Sequence, residues 1–180
     1  MIDGLRSPAW RGLSMEPLAP APALAVLTDL DAHDRLEAAF ALGSRFDAGD
    51  ALRQLIRQEA AGGLFFTVWR HAPEGGALPF ALVGFSPVYM PGCFAGALLA
   101  RDHRRWRRPL AQLAAAMRAD LPAWAQARGV ARIEARCWSS HPTAPALLTA
   151  IGFAREATVP RFIDDPAPLQ QFALLPGPPF

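Results

Sequence analysis

The run Gly129-Val130-Ala131-Arg132-Ile133-Glu134-Ala135-Arg136-Cys137, followed by Ser140-His141-Pro142-Thr143-Ala144-Pro145-Ala146-Leu147-Leu148-Thr149-Ala150-Ile151-Gly152-Phe153, decides the fold. Val130–Cys137 reads as a strand, Thr143–Ile151 as a short helix, and Phe153–Val159 as the next strand. Gly152 stands between the last two, where a helix is expected to end. Upstream, Leu110, Leu113, Met117, Leu121 and Trp124 recur at spacings of 3, 4, 4 and 3. They form one face of a long amphipathic helix that begins at Pro109 and stops at Gly129. Pro122 inside that pattern predicts a kink, because its ring meets the carbonyl of Arg118. The apolar run Cys93–Ala100 precedes this helix as a strand, so the three elements make a right-handed crossover between parallel strands.

Further upstream the pattern changes twice. Leu64–Arg70 and Leu78–Phe85 are rich in aromatic and β-branched residues and are separated by Pro73, Gly75 and Gly76, a hairpin. Before them, Ala51, Leu52, Leu55 and Ile56 lie on one helical stripe capped by Asp47 or Asp50 and ended by Gly62 and Gly63. An earlier helix runs through Leu36, Ala39, Phe40 and Leu42, capped by Asp29 or Asp31 and closed by Gly43. Leu24–Leu30, with Val26 and Thr28, reads as a first strand. Residues 1–22 carry Gly4, Pro8, Gly12, Pro17, Pro20 and Pro22 and read as a flexible leader; the domain proper then spans 23–175, with a Pro-rich tail at 176–180. Gln170–Leu175 is expected to add a last apolar strand whose edge would serve a homodimer. The expected architecture is a single α/β domain: a mixed, mostly antiparallel sheet with one parallel pair, flanked by helices.

Composition narrows the chemistry. The chain has 180 residues, 52% hydrophobic and 19% charged, enough apolar material for one core. All 18 basic residues are Arg and none is Lys, which excludes Schiff-base chemistry and a Walker lysine. A net charge of +2 argues against a polyanion partner, although the basic residues around Trp106 could stack a base. Cys93 and Cys137 lack metal-ligand spacing, and no histidine–carboxylate motif for a metal is present. With no apolar run long enough to span a bilayer and no secretory pattern at the N-terminus, a cytoplasmic chain without a membrane partner is expected.

The stretch from Gly129 to Glu156, with Ala144, Leu147, Gly152 and Phe153 in register, resembles the GNAT superfamily of acyl-CoA-dependent N-acyltransferases. The likeness covers roughly residues 64–159. It implies a GNAT-type domain whose strands at Cys93–Ala100 and Val130–Cys137 splay apart around acetyl-CoA as co-substrate, with transfer of the acetyl group to a small-molecule or peptide amine. The family's glycine-rich phosphate loop is replaced by Asp102-His103-Arg104-Arg105-Trp106-Arg107-Arg108-Pro109. His141 stands where the family commonly has Asn, and Leu148 where it often has a general-acid Tyr. Such a degenerate signature is also similar to phage-associated GNAT-like proteins, so a catalytically inactive binding or assembly protein is the alternative.

The resemblance places CoA phosphates beside the Arg-rich loop. Bidentate guanidinium groups of Arg104, Arg105, Arg107 and Arg108 would replace glycine amides there. Leu98, Leu99 and Ala100 would pair with the pantetheine arm through their backbone. Acyl transfer needs a base for the amine and a proton for the thiolate. The candidates are Glu134 in mid-strand, His141 after the strand end, and Tyr89, the only tyrosine. Cys137 is a weaker candidate nucleophile.

Overall fold

The computed structural model describes residues 7–43, 45–160 and 168–177. The elements run β1 (Leu13–Pro17), α1 (Pro20–Thr28), α2 (Ala32–Leu42), α3 (Ala48–Ala60), β2 (Leu64–His71), β3 (Ala77–Pro87), β4 (Cys93–Ala100), α4 (Arg107–Gln126), β5 (Arg132–Trp138), α5 (Ala144–Ile151), β6 (Ala154–Val159) and β7 (Leu169–Leu174). The strands form one sheet in the order β1-β2-β3-β4-β5-β7-β6. All neighbours are antiparallel except β4 and β5. The expected single α/β domain with a parallel pair inside a mostly antiparallel sheet is what the chain forms.

Two early segments differ from the sequence reading. Leu24–Leu30 was expected as a strand, yet Pro20–Thr28 is a helix that buries Ala23, Val26 and Leu27. Those positions, spaced i, i+3 and i+4, put one helical stripe against α3 and the sheet, and this packing outweighs the β-branched Val26 and Thr28. The first strand is instead Leu13–Pro17, inside the stretch expected to be a flexible leader. Leu13 and Met15 alternate inward to the core while β1 pairs antiparallel along β2. Trp10 is buried, and its indole N–H donates to Asp120 on α4 at 2.8 Å. Residues 1–6 of the leader and 178–180 of the tail lie outside the described residues.

The rest follows the local rules. Asp31 and Asp47 accept backbone N–H bonds at the starts of α2 and α3. The β2–β3 hairpin turns through Gly75 and Gly76, both at positive φ (96° and 86°), as a tight turn between twisted strands requires. The helix α4 continues through Pro122 and buries Leu110, Leu113, Met117, Leu121 and Trp124, the apolar face the spacing predicted. With α5 it covers one face of the sheet, over Val83, Phe85 and Ile133; α1 and α3 cover the other, over Leu82. The last strand β7 lies between β5 and β6. Its two edges are already paired, so it is not the free edge for a homodimer that its apolar sequence suggested.

One break in this sheet matters for function. β4 and β5 pair over only three positions, Cys93↔Arg132, Phe94↔Ile133 and Ala95↔Glu134. Beyond Ala95 the strands part. Gly96 stands at the apex, where a Cβ would come within 3.0 Å of the Ile133 side chain.

Candidate functional site

The parting of β4 and β5 opens a cavity of about 320 Å³ through the sheet. Gly96, Ala97, Leu98 and Leu99 line it from β4; Ala135, Arg136 and Cys137 line it from β5. Leu147, Leu148 and Ile151 of α5 and Met117 of α4 form one wall. Asp34, Glu37, Ala38 and Ala41 of α2 and Gln54, Leu55 and Gln58 of α3 form the other. On β4 the backbone groups of Ala100 point into the gap: its N–H donates to Asp34 and its carbonyl accepts from the N–H of Asp31. Strand alternation turns the N–H and C=O of Leu98 and Gly96 the same way.

At the wide end the two strands are bridged by one carboxylate. Asp34 Oδ1 lies 3.0 Å from His141 Nε2, and Oδ2 lies 3.2 Å from His103 Nε2 and 2.7 Å from the Ala100 nitrogen. All three side chains are buried. His103 Nδ1 meets the Thr143 hydroxyl at 2.5 Å, and the His33 ring packs on His141. The donor atoms of Asp34, His103 and His141 lie within 4.8 Å of one another, close enough for a metal ion. The hydrogen bonds decide otherwise for His141. Its Nδ1 accepts the N–H groups of Thr143 and Ala144, which puts the proton on Nε2, where it donates to Asp34 and offers no lone pair to a cation.

Electrostatics sharpen the bridge. Burial alone would raise the Asp34 pKa, but hydrogen bonds from His103 and His141 outweigh it and hold the carboxyl below its ordinary value. Burial alone would lower the His103 pKa; Asp34, with Asp31 and Asp102, raises it instead. Glu37 behaves differently. Burial pushes its carboxyl up, and the bond its Oε1 accepts from the Trp138 N–H at 2.7 Å offsets only part of that. Cys137 is pushed up to about 12 by burial and then by the Glu37 charge, so its thiol stays protonated and is a poor nucleophile.

The expected site residues are dispersed. His141 is at the bridge, as a hydrogen-bonded tether of α2 and α5. Leu98 and Leu99 line the cavity, whereas Ala100 spends its backbone groups on α2. Glu134 sits at the narrow end, accepts a bond from Arg132 at 2.8 Å, and does not line the cavity. Tyr89 is fully exposed in the β3–β4 turn, also outside the cavity. Arg104, Arg105, Arg107 and Arg108 are exposed around the start of α4, and among the described residues no hydrogen bond or ion pair engages their guanidinium groups. Three amides of that loop are engaged by nearby carboxylates: Asp102 Oδ1 accepts from Arg104 and Arg105, and Asp31 Oδ2 from His103. Asp34, Glu37 and His103 were not singled out from the sequence. The one available signal was that His103 and His141 each follow the end of a strand in the crossover.

No family model matches the chain, and no curated protein does. Solved structures do. An acetyltransferase of the GNAT family from Bacillus anthracis is 15% identical with a TM-score of 0.66, over 92% of this chain and 95% of that one. Spermidine N-acetyltransferase from Vibrio cholerae, solved with CoA and spermine, is 13% identical with a TM-score of 0.65, over 92% and 96%. Ribosomal-protein-alanine N-acetyltransferase from Brucella melitensis is 14% identical with a TM-score of 0.61, over 90% and 99%. The chain has the fold of these GNAT acetyltransferases. No helix among the described residues is long and apolar enough to cross a membrane.

Proposed function

We propose that this GNAT-fold chain is a cytoplasmic N-acyltransferase that moves an acetyl group from acetyl-CoA to the amine of a small molecule or peptide. The observation that carries the reading is the cavity where β4 and β5 part, faced by the backbone of Leu98, which lies beyond the last paired position, Ala95. An extended pantetheine arm can add to that edge as a strand would, and the N–H of Leu98 is placed to meet the oxygen that becomes negative when the thioester is attacked. The phosphates fall to Arg104, Arg105, Arg107 and Arg108, whose unpaired guanidinium groups supply charge-assisted donors in place of the amides that Asp31 and Asp102 occupy. His141 has a tethering role in this reading. Glu134 and Tyr89 have none, because neither reaches the cavity.

A second reading, a GNAT-like binding protein without catalysis, is favoured by one feature: the amides of His103, Arg104 and Arg105 already have carboxylate partners within the chain. A melt separates the two. Acetyl-CoA at about 100 times its Kd adds about 2.7 kcal/mol, or roughly 5–10 °C for a chain of this size. The transferase reading expects that shift and its loss in the double variant Arg104→Ala, Arg107→Ala. An unmoved melting temperature at millimolar acetyl-CoA leaves the binding protein.

A further inference from the structure

Among the described residues, five ionisable side chains line the cavity: Asp34, Glu37, His103, Arg136 and Cys137. A transferase working on an ammonium acceptor needs one of them to take a proton, and four are disqualified by what they touch. Both oxygens of Asp34 are occupied by the two histidines and the Ala100 amide. His103 spends one ring nitrogen on Asp34 and the other on the Thr143 hydroxyl. Arg136 holds no free proton-accepting pair, and the Cys137 thiol is protonated and buried. Glu37 remains. Its Oε1 is fixed by the Trp138 N–H, and among the described residues its Oε2 makes no hydrogen bond or ion pair.

Resting on the transferase reading, we infer that Glu37 is the general base, taking a proton from the acceptor's ammonium group on the α2 side of the gap. The Trp138 N–H orients the carboxylate from β5, so the base is built between a helix on one face and the strand that forms one wall of the gap. The groups facing it are Asp34 and His33 from its own helix, His141 from the β5–α5 loop and Cys137 from β5. Arg136 lines the same cavity without pairing to it. The buried setting that raises the carboxyl toward neutrality suits it to the task. In the step, Glu37 takes one ammonium proton and the freed nitrogen pair attacks the thioester carbon. The C–N bond forms, the C–S bond breaks, and its electron pair leaves on sulfur. The second proton lost from nitrogen goes to that thiolate, and Glu37 returns its own proton to solvent.

The test is thiol release from acetyl-CoA with spermidine and with an N-terminal-alanine peptide as amine probes, alongside acetyl-CoA binding by calorimetry. Glu37→Gln, which keeps an oxygen for the Trp138 N–H, should lose about 10²–10³-fold in kcat/KM with acetyl-CoA affinity held within about twofold. It should also lose the carboxylate limb of the pH profile. Glu37→Asp should recover part of both. Turnover and pH limb intact in Glu37→Gln overturn the base assignment and leave the transferase standing. A wild-type chain that releases no thiol with either probe overturns both.

Discussion

The two ends of the β4–β5 gap are closed by different physics. At the narrow end the strands pair, the Gly92 carbonyl accepts from the N–H groups of Ala131 and Arg132, and Ile133 is fully buried in the main core. At the wide end the closure is α2, which buries no apolar side chain among those described. Leu36 and Phe40 face solvent, 55% and 46% exposed, while Asp31, Asp34 and Glu37 hold the helix to β4, β5 and the two histidines. Backbone pairing and apolar burial do not titrate. Carboxylate ties do, and they release a helix without opening the core. The fold therefore fixes the apex of the site and leaves its mouth on ties that break locally.

Three substitutions put that contrast to work. Ile133→Ala, at a fully buried site beside the apex, should cost about 3–4 kcal/mol of global stability, read as a lower urea midpoint for the whole chain. Asp34→Asn should cost about 2 kcal/mol but at the mouth only: amide exchange across residues 31–42 should speed up about 30-fold while β4 and α4 stay protected. If Asp34→Asn instead lowers the global midpoint as far as Ile133→Ala, the two ends are one cooperative unit and the comparison fails. Arg132→Gln should cost about 0.5 kcal/mol or less, since its bonds to Glu134 and Glu156 lie near the surface and are screened. A larger loss would mean that side-chain ion pairs, not strand pairing, hold the apex.

Exchange at the mouth should also follow pH with a definite sign. The Asp34 carboxyl is held below its ordinary value, so its contribution is present above that value and fades as pH falls through the depressed one. The His103 pKa is raised, so its contribution is full below about 6.5 and fades as pH climbs through the raised value. Glu37, also raised, loosens the helix in the same upward direction as it ionises in place. Protection of α2 should thus peak in weakly acid solution and fall on both sides. Protection of β5 near the apex should stay level across that range.

Legibility in the sequence follows the range of the interactions. The stripe of Leu110, Leu113 and Met117 sits on one helical face whatever surrounds it, and Gly75-Gly76 makes its turn from its own φ angles, so these elements were readable. Pro20–Thr28 was misread because its three buried positions are meaningful only with a sheet above them, and Leu13–Pro17 because a five-residue strand with a proline carries too little local pattern. The parallel pair was legible through its crossover, and with it the place of the gap. The bridge was not: Asp34 stands 69 residues from His103 and 107 from His141, and no spacing rule joins them.

What the sequence alone determined is the order of helices and strands from α2 onward and the crossover that sets β4 beside β5, because periodicity and chain connectivity are local properties. What the tertiary structure decided is where the charges go. Folding turned Tyr89 out to solvent, tied Glu134 to Arg132, spent Asp34 on two histidines and left Glu37 with one free oxygen in the gap. Burial and hydrogen-bond partners set the chemistry of a carboxylate, and both come from residues distant in the chain.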